Sequence, residues 1–282
     1  MKKVTFKIPA KVNLTLDVLG ATEGFHDIKS LVASIDVFDT VSVKKRKDNI
    51  ITLCTTGRQV DCDMFNNNAY KAAKLFMEKN KTTGVDIFIK KDIPIGGGLG
   101  GSSADIAGVL KCMEAVFNTG KKLSTLANNL GSDAAYMLEG GYAVITGRGE
   151  KISKKEIDKI LYLILIPEQK STSARGVYKA YDKIGKQSKP CTMASVSALK
   201  ENDMQKYKTI AKNDLTEGAL TFVPEIVGNI YALKKAGALT ALMTGSGSCS
   251  FGVFDNKKER DKAFNKLKAL YGKDLIKAQT IV

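Results

Sequence analysis

Apolar residues alternate with polar ones from the start of the chain. Val4, Phe6 and Ile8 take every second position, and Val12, Leu14, Leu16 and Val18 resume that period after a gap. Period two puts successive side chains on opposite faces of a strand. Pro9 lies between the two runs. It has no N–H to give to a ladder, so it predicts a break or an edge position rather than a central strand. Gly20 and Gly24 bound a turn region, and Val41 and Val43 continue strand character. The period then changes. Ala69, Ala72, Ala73 and Phe76 share one face of a helix over 67–77, and Val85, Ile87 and Ile89 return to a strand. Ile106, Val109, Leu110, Met113, Val116 and Phe117 stand at the three-and-four spacing of a second helix, which Asn118 and Gly120 end.

Leu123, Leu126, Ala127 and Leu130 form another amphipathic set, stopped by Gly131. Residues 140–145 read as a strand followed by a Gly147-Arg148-Gly149 turn. The lysine-rich stretch 151–159 marks a domain boundary, dividing residues 1–155 from 156–282. Residues 161–166 are a buried strand ended by Pro167. Pro224 opens a helix carrying Ile226, Ile230 and Leu233, with Gly237 as its stop. A small-residue loop at 245–248 precedes a strand at 251–254, and Ala263, Phe264, Leu267 and Leu270 lie on a last helix. Strands and helices interleave without a fixed repeat, so the class is α+β or α/β.

Composition narrows this picture. The 282 residues, 44% hydrophobic and 26% charged, suffice for two cores. No run of 18 apolar residues predicts a membrane span, and the basic start lacks the apolar core of a signal peptide. A cytoplasmic protein with no membrane partner is expected. The five cysteines form no CxxC pair and are expected to be reduced and mostly buried. With His26 the only histidine, a Cys/His zinc site is improbable. The net charge of +15 comes from lysines scattered along the chain. That is a solvated surface whose field attracts a polyanionic small substrate, and no nucleic-acid partner is expected from it.

The chemically informative stretch is Pro94-Ile95-Gly96-Gly97-Gly98-Leu99-Gly100-Gly101-Ser102-Ser103-Ala104-Asp105. Five glycines in the six residues 96–101 cost backbone entropy, which is tolerated where the backbone must approach something closely. The run joins a strand to a helix, and a helix N-terminus offers unpaired N–H groups and partial positive charge to a phosphate. Ser102 and Ser103 add hydroxyls that could cap the helix or meet a metal-bound phosphate. No lysine follows the last glycine, so the run is not a Walker A loop. Nor does it stand in the context of a Rossmann fingerprint. A flexible linker with a serine cap is the plain alternative.

These residues resemble the phosphate loop of the GHMP kinase superfamily, and two further segments match in order. Residues 8–14 (Ile-Pro-Ala-Lys-Val-Asn-Leu) look like its N-terminal motif, and 244–248 (Thr-Gly-Ser-Gly-Ser) look like its C-terminal glycine motif. Gly24-Phe25-His26, Asp39-Thr40-Val41, Asn67–Ala73, Leu130–Asp133, 146–150, 177–180 and 213–215 resemble the branch whose alcohol substrate carries a cytidine diphosphate group. That branch acts in non-mevalonate isoprenoid precursor synthesis. Ala134-Ala135 stand where this branch has Val-Pro, Phe25 replaces Tyr, and Ser102 replaces Gly.

The resemblance implies a two-domain α+β fold with a ribosomal-protein-S5-like N-terminal domain and a ferredoxin-like C-terminal α/β domain. It also implies ATP with Mg²⁺ as cofactors and transfer of phosphate to the 2-hydroxyl of the cytidyl alcohol. Another superfamily activity, on a mevalonate-type, homoserine or sugar substrate, and a non-catalytic paralogue are the alternatives. By resemblance Asp133 accepts the hydroxyl proton and Lys11 is its charged partner. Read alone, Asp133 suits a helix N-cap and Lys11 a solvated strand lysine. Pro94, Gly96, Gly97, Gly98, Leu99, Gly100, Gly101, Ser102, Ser103 and Asn67 would hold ATP, with no direct metal ligand assigned. Asn13, Phe25, His26, Tyr178, Gly245, Ser246 and Gly247 would hold the substrate, His26 reading the base between the aromatic walls Phe25 and Tyr178.

Overall fold

The computed structural model describes residues 2–22, 25–58, 62–185 and 189–282; Gly24 of the expected turn lies outside them. The first elements are strands β1 (Lys3–Asn13), β2 (Asp17–Thr22), β3 (Phe25–Lys45) and β4 (Ile51–Gly57). Helix α1 (Asn68–Asn80), β5 (Val85–Lys91) and α2 (Gly101–Phe117) follow, then α3 (Leu123–Asn128) and α4 (Ala134–Glu139). Next come β6 (Tyr142–Gly147), β7 (Lys151–Lys154) and β8 (Tyr162–Ile166). A run of helices comprises α5 (Ala174–Ile184), α6 (Thr192–Lys200), α7 (Met204–Ile210), α8 (Thr216–Leu220) and α9 (Glu225–Lys235). The chain closes with β9 (Thr240–Met243), β10 (Ser250–Phe254), α10 (Lys257–Tyr271) and β11 (Ile276–Gln279). The mixed α+β class expected from the sequence is the one observed.

The contacts divide the chain into two compact units, each assembled from separate stretches. The first holds Met1–Ala10, Val37–Ile95 and Gly100–Gly140; the second holds Lys11–Asp36, Gly96–Leu99 and Gly141–Val282. In the first, residues 40–45 of β3 pair antiparallel with β5, and β5 pairs in parallel with β4. Helix α2 is its centre: Ala104 through Leu110, Cys112, Met113 and Val116 are all buried. A helix apolar almost all round is an interior helix, so the single face seen in the sequence understated its burial. Gly108 is required there, since a Cβ would stand 2.5 Å from Val41 Cγ2. Its C-terminus is capped by Asn118 in the left-handed region, φ 53°, where Asn is tolerated.

In the second unit, residues 28–33 of β3 pair with β6, and β6 pairs with β7. The lysine-rich stretch after Gly149 thus begins as a short exposed strand. A separate four-stranded sheet has the order β11-β8-β10-β9, antiparallel at each pairing. Helices α9 and α10 cover it, and Ile164, Ile166, Leu233, Phe254, Ala263 and Leu267 form the core between them. Asp17 accepts the backbone N–H groups of Cys191 and Thr192, both at 2.9 Å, and so anchors the start of α6.

Of the two positions expected for Pro9, the edge is the one observed: β1 runs unbroken from Lys3 to Asn13 and, among the described residues, pairs only with β3, so the missing N–H falls on an edge strand. The cysteines are all free, with Cys112, Cys191 and Cys249 buried and Cys54 and Cys62 exposed.

Candidate active site

The glycine loop bridges β5 and α2. Gly96, Gly98 and Gly100 have φ of 69°, 75° and 78°, the left-handed region that side chains disfavour. Space is as restrictive as torsion. A Cβ on Gly98 would stand 2.3 Å from the Thr244 carbonyl oxygen, and one on Gly96 would stand 2.5 Å from Ser171 Cβ. The loop backbone is fastened on both sides: Lys11 N donates to Leu99 O at 3.0 Å, and Cys249 N donates to Gly97 O at 3.2 Å. Pro94 and Leu99 are buried beneath it. Gly100 is the N-cap of α2, and no side chain caps that end and no acidic residue lies in its first turn. The positive end of a 17-residue helix therefore faces the loop without a built-in anion, as an anion-binding loop requires.

Next to this loop, β1 ends in Lys11 and Asn13. Lys11 is only 4% exposed, which overturns the solvated-strand alternative. Its Nζ donates to Asn13 Oδ1 at 2.6 Å. Asn13 donates through Nδ2 to Ser30 Oγ at 2.8 Å and through its backbone N to Thr244 Oγ1 at 2.9 Å. Asn213 braces the 244–248 loop from below, donating to Met243 O at 2.7 Å and Gly245 O at 2.8 Å. Thr172 donates to Ser246 O at 2.8 Å. Gly247 is needed because a Cβ would meet Met243 Sδ at 2.7 Å. Lys11, Asn13, Gly98, Leu99 and the Thr244–Gly245 corner are thus brought together.

In the first unit, Ser102 and Ser103 open α2. Ser102 Oγ accepts from Asn68 Nδ2 at 2.7 Å. The side-chain oxygen of the neighbouring Asn67 is used as the N-cap of α1, accepting from Ala69 N at 2.9 Å. Ser103 Oγ lies 3.5 Å from where a Gly131 Cβ would be, so the turn leading to Asp133 packs on the first turn of α2. Asp133 occupies the N-cap position of α4, yet its side chain makes no capping hydrogen bond. The capping alternative therefore does not account for its carboxylate. Ala134 and Ala135 are buried in the first turn of α4.

His26 stands on β3 with its ring stacked on Tyr178 of α5, centroids 4.6 Å apart and planes 21° apart. Tyr181 meets the same ring edge-on at 6.3 Å, and Nε2 lies 2.6 Å from Asp182 Oδ1. Phe25, more than half exposed, carries the Arg148 guanidinium 3.8 Å from its ring centroid. Sequence reasoning missed Asp182, Arg148, Asn68 and Asn213 as parts of these clusters. Asn68, Arg148 and Asn213 had a signal, since each lies in a segment that carries the family resemblance; Asp182 had none. It missed too the buried group of Asp39, Lys91 and Asp105 at the base of the glycine loop.

Comparison with known proteins adds family information. Residues 67–148 match the model described as GHMP kinases N terminal domain, and residues 195–273 match GHMP kinases C terminal. The chain is 36% identical over 273 residues to a 4-diphosphocytidyl-2-C-methyl-D-erythritol kinase of Clostridium botulinum (strain Alaska E43 / Type E3), covering 94% of this chain and 96% of the relative. A protein of the same description from Caldicellulosiruptor saccharolyticus is 34% identical over 280 residues, covering 97% and 96%. A crystal structure of 4-(cytidine 5'-diphospho)-2C-methyl-D-erythritol kinase superposes with a TM-score of 0.84 at 27% identity, over 99% of this chain and 100% of the other. The L. major mevalonate kinase shares the fold at a TM-score of 0.76 and 16% identity, over 99% and 96%.

Proposed function

Because the chain belongs to the GHMP kinase family, we propose that it transfers the γ-phosphoryl group of ATP to the 2-hydroxyl of 4-diphosphocytidyl-2-C-methyl-D-erythritol. The step belongs to non-mevalonate isoprenoid precursor synthesis, carried out in the cytoplasm. The observation that carries the substrate assignment is the His26 cluster. A nucleobase needs a flat pocket with directional hydrogen bonds, and here the chain's only histidine is held by ring stacking and a carboxylate. In the neutral tautomer that donates from Nε2 to Asp182, Nδ1 would accept, the complement of an amino N–H on cytosine. Phe25 and Tyr178 supply the aromatic walls.

Phosphoryl transfer asks the protein mainly for positioning and charge neutralisation. The glycine loop and the open end of α2 would hold the phosphates of ATP. Asp133 would take the proton of the 2-hydroxyl as that oxygen bonds to the γ-phosphorus and the bond to the β-phosphate oxygen breaks, releasing ADP. Lys11, kept from water and oriented by Asn13, would stabilise the charge that develops on the transferred group. Gly245, Ser246 and Gly247 would close the substrate end. Mg²⁺ would arrive on the phosphate oxygens of ATP and supply charge neutralisation there. Among the described residues no three carboxylate, Cys or His side chains gather to hold a metal. Ser103 would offer its hydroxyl to that ion or to the phosphates.

The test is ATP consumption with Mg²⁺ against a panel holding the cytidyl alcohol, mevalonate and homoserine. Turnover confined to the cytidyl alcohol is expected. Turnover confined to another alcohol would keep the kinase and reject the substrate.

A further inference from the structure

The base of the glycine loop holds a buried ionic group whose position is not that of a random core salt bridge. Lys91 ends β5, three residues ahead of Pro94, and Gly101 and Asp105 lie on the far side of the loop. Lys91 Nζ lies 2.5 Å from Asp39 Oδ2 and 2.6 Å from Asp105 Oδ2, with Gly101 O at 3.4 Å. The other oxygen of Asp39 accepts the backbone N–H groups of Asp92 at 2.8 Å and Ile93 at 2.9 Å, the residues that lead into the loop. The three side chains are 0–9% exposed.

Burying such ions is costly, and one ammonium between two carboxylates is a poor way to gain stability. Burial, together with the nearby Asp39, pushes the Asp105 carboxyl up to about 7, although Lys91 pulls the other way. A protonated Asp105 leaves the group neutral under a loop that has to accept anions. The geometry does what the glycines cannot. Five glycines leave the loop free to adopt many shapes, whereas bonds from residue 91 to residues 39, 101 and 105 join its entry to its exit.

We propose that Asp39, Lys91 and Asp105 form an ionic clasp that fixes the two ends of the phosphate loop, making Lys91 and Asp105 positioning residues for nucleotide binding. This rests on the reading that the loop holds the phosphates of ATP. The test compares wild type with Asp105→Ala and Asp105→Asn. Binding of Mg·ADP is followed by calorimetry, and KM for ATP and for the alcohol by turnover. Asp105→Ala removes an acceptor of Lys91 and is expected to weaken Mg·ADP and raise the KM for ATP about tenfold or more, since small misplacements of a binding group carry such factors. The KM for the alcohol should stay within about threefold, a split that general loss of structure does not give. Asp105→Asn keeps an oxygen facing Lys91 and is expected to restore most of the nucleotide affinity. Should Asp105→Ala fail to fold, Asp105→Glu, which lengthens the arm by one carbon, is expected to show the same split. Mg·ADP binding as tight as wild type in a folded Asp105→Ala or Asp105→Glu protein overturns the clasp, and so does an equal rise in both KM values. A wild-type protein that binds no Mg·ADP overturns the ATP reading itself, and the clasp with it.

Discussion

Substituting Gly98 by alanine tests whether the loop is held against the 244–248 corner as tightly as the geometry states. Two costs add. Alanine at φ 75° pays for left-handed backbone, about 1–2 kcal/mol, partly offset by about 0.4–1 kcal/mol from the stiffer unfolded chain. The new Cβ would also lie 2.3 Å from Thr244 O and 3.2 Å from Gly247 O. Both are backbone atoms, so the loop itself must move, a further cost of about 1–3 kcal/mol. Gly120 supplies the control: its φ is 69°, and among the described residues no atom lies within 4 Å of its added Cβ. Gly120→Ala should therefore show the torsional cost alone. Thermal unfolding should place Gly98→Ala below Gly120→Ala by about 2 kcal/mol, a few degrees in Tm for a chain of this size. The same shift should weaken Mg·ADP binding in Gly98→Ala only. Equal Tm values together with unchanged nucleotide affinity would refute the close approach.

Three other outcomes follow from the site. Asp133→Asn should lower kcat by about 10²–10⁴-fold while Mg·ADP binding holds within about threefold, because its carboxylate is assigned to proton transfer and not to the phosphates. His26→Ala should raise the KM for the cytidyl alcohol about tenfold and leave the KM for ATP near wild type, because the ring held by Tyr178 and Asp182 is assigned to the base and not to ATP. Stability should depend on pH through Asp105. Its carboxyl keeps a proton up to about 7 in the folded chain, against an ordinary value of 3.8. Its favourable contribution is complete below pH 3.8 and lost as pH rises through about 7. Urea unfolding at pH 5 and pH 8 should show wild type losing more stability across that interval than Asp105→Asn.

What the sequence made legible was local. The period of α2, its end at Asn118, the strand character of Val85–Ile89 and the presence of a tight glycine loop between β5 and α2 all arise from neighbours in the chain. The length of β3 was not legible, because Ser30 and Ser34 are buried in it and interrupt the apolar pattern. Nor was the burial of Lys11, since a lysine in an alternating strand looks solvated until Asn13 and Leu99 close around it. Asp182 lies 156 residues from His26, and Asp39 lies 52 from Lys91. Such pairs leave no periodic trace in a single sequence. Resemblance to a family supplied the roles of Lys11, Asp133 and His26; spacing alone would have left a cap, a surface lysine and a structural histidine.

The measurement that bears most directly on the central claim is phosphorus NMR of the product formed from Mg·ATP and 4-diphosphocytidyl-2-C-methyl-D-erythritol. The account predicts one new phosphomonoester signal on the 2-oxygen, growing in step with ADP while the diphosphate signals of the substrate persist. Free phosphate released with no new ester, or an ester formed only when mevalonate or homoserine is supplied, would contradict it.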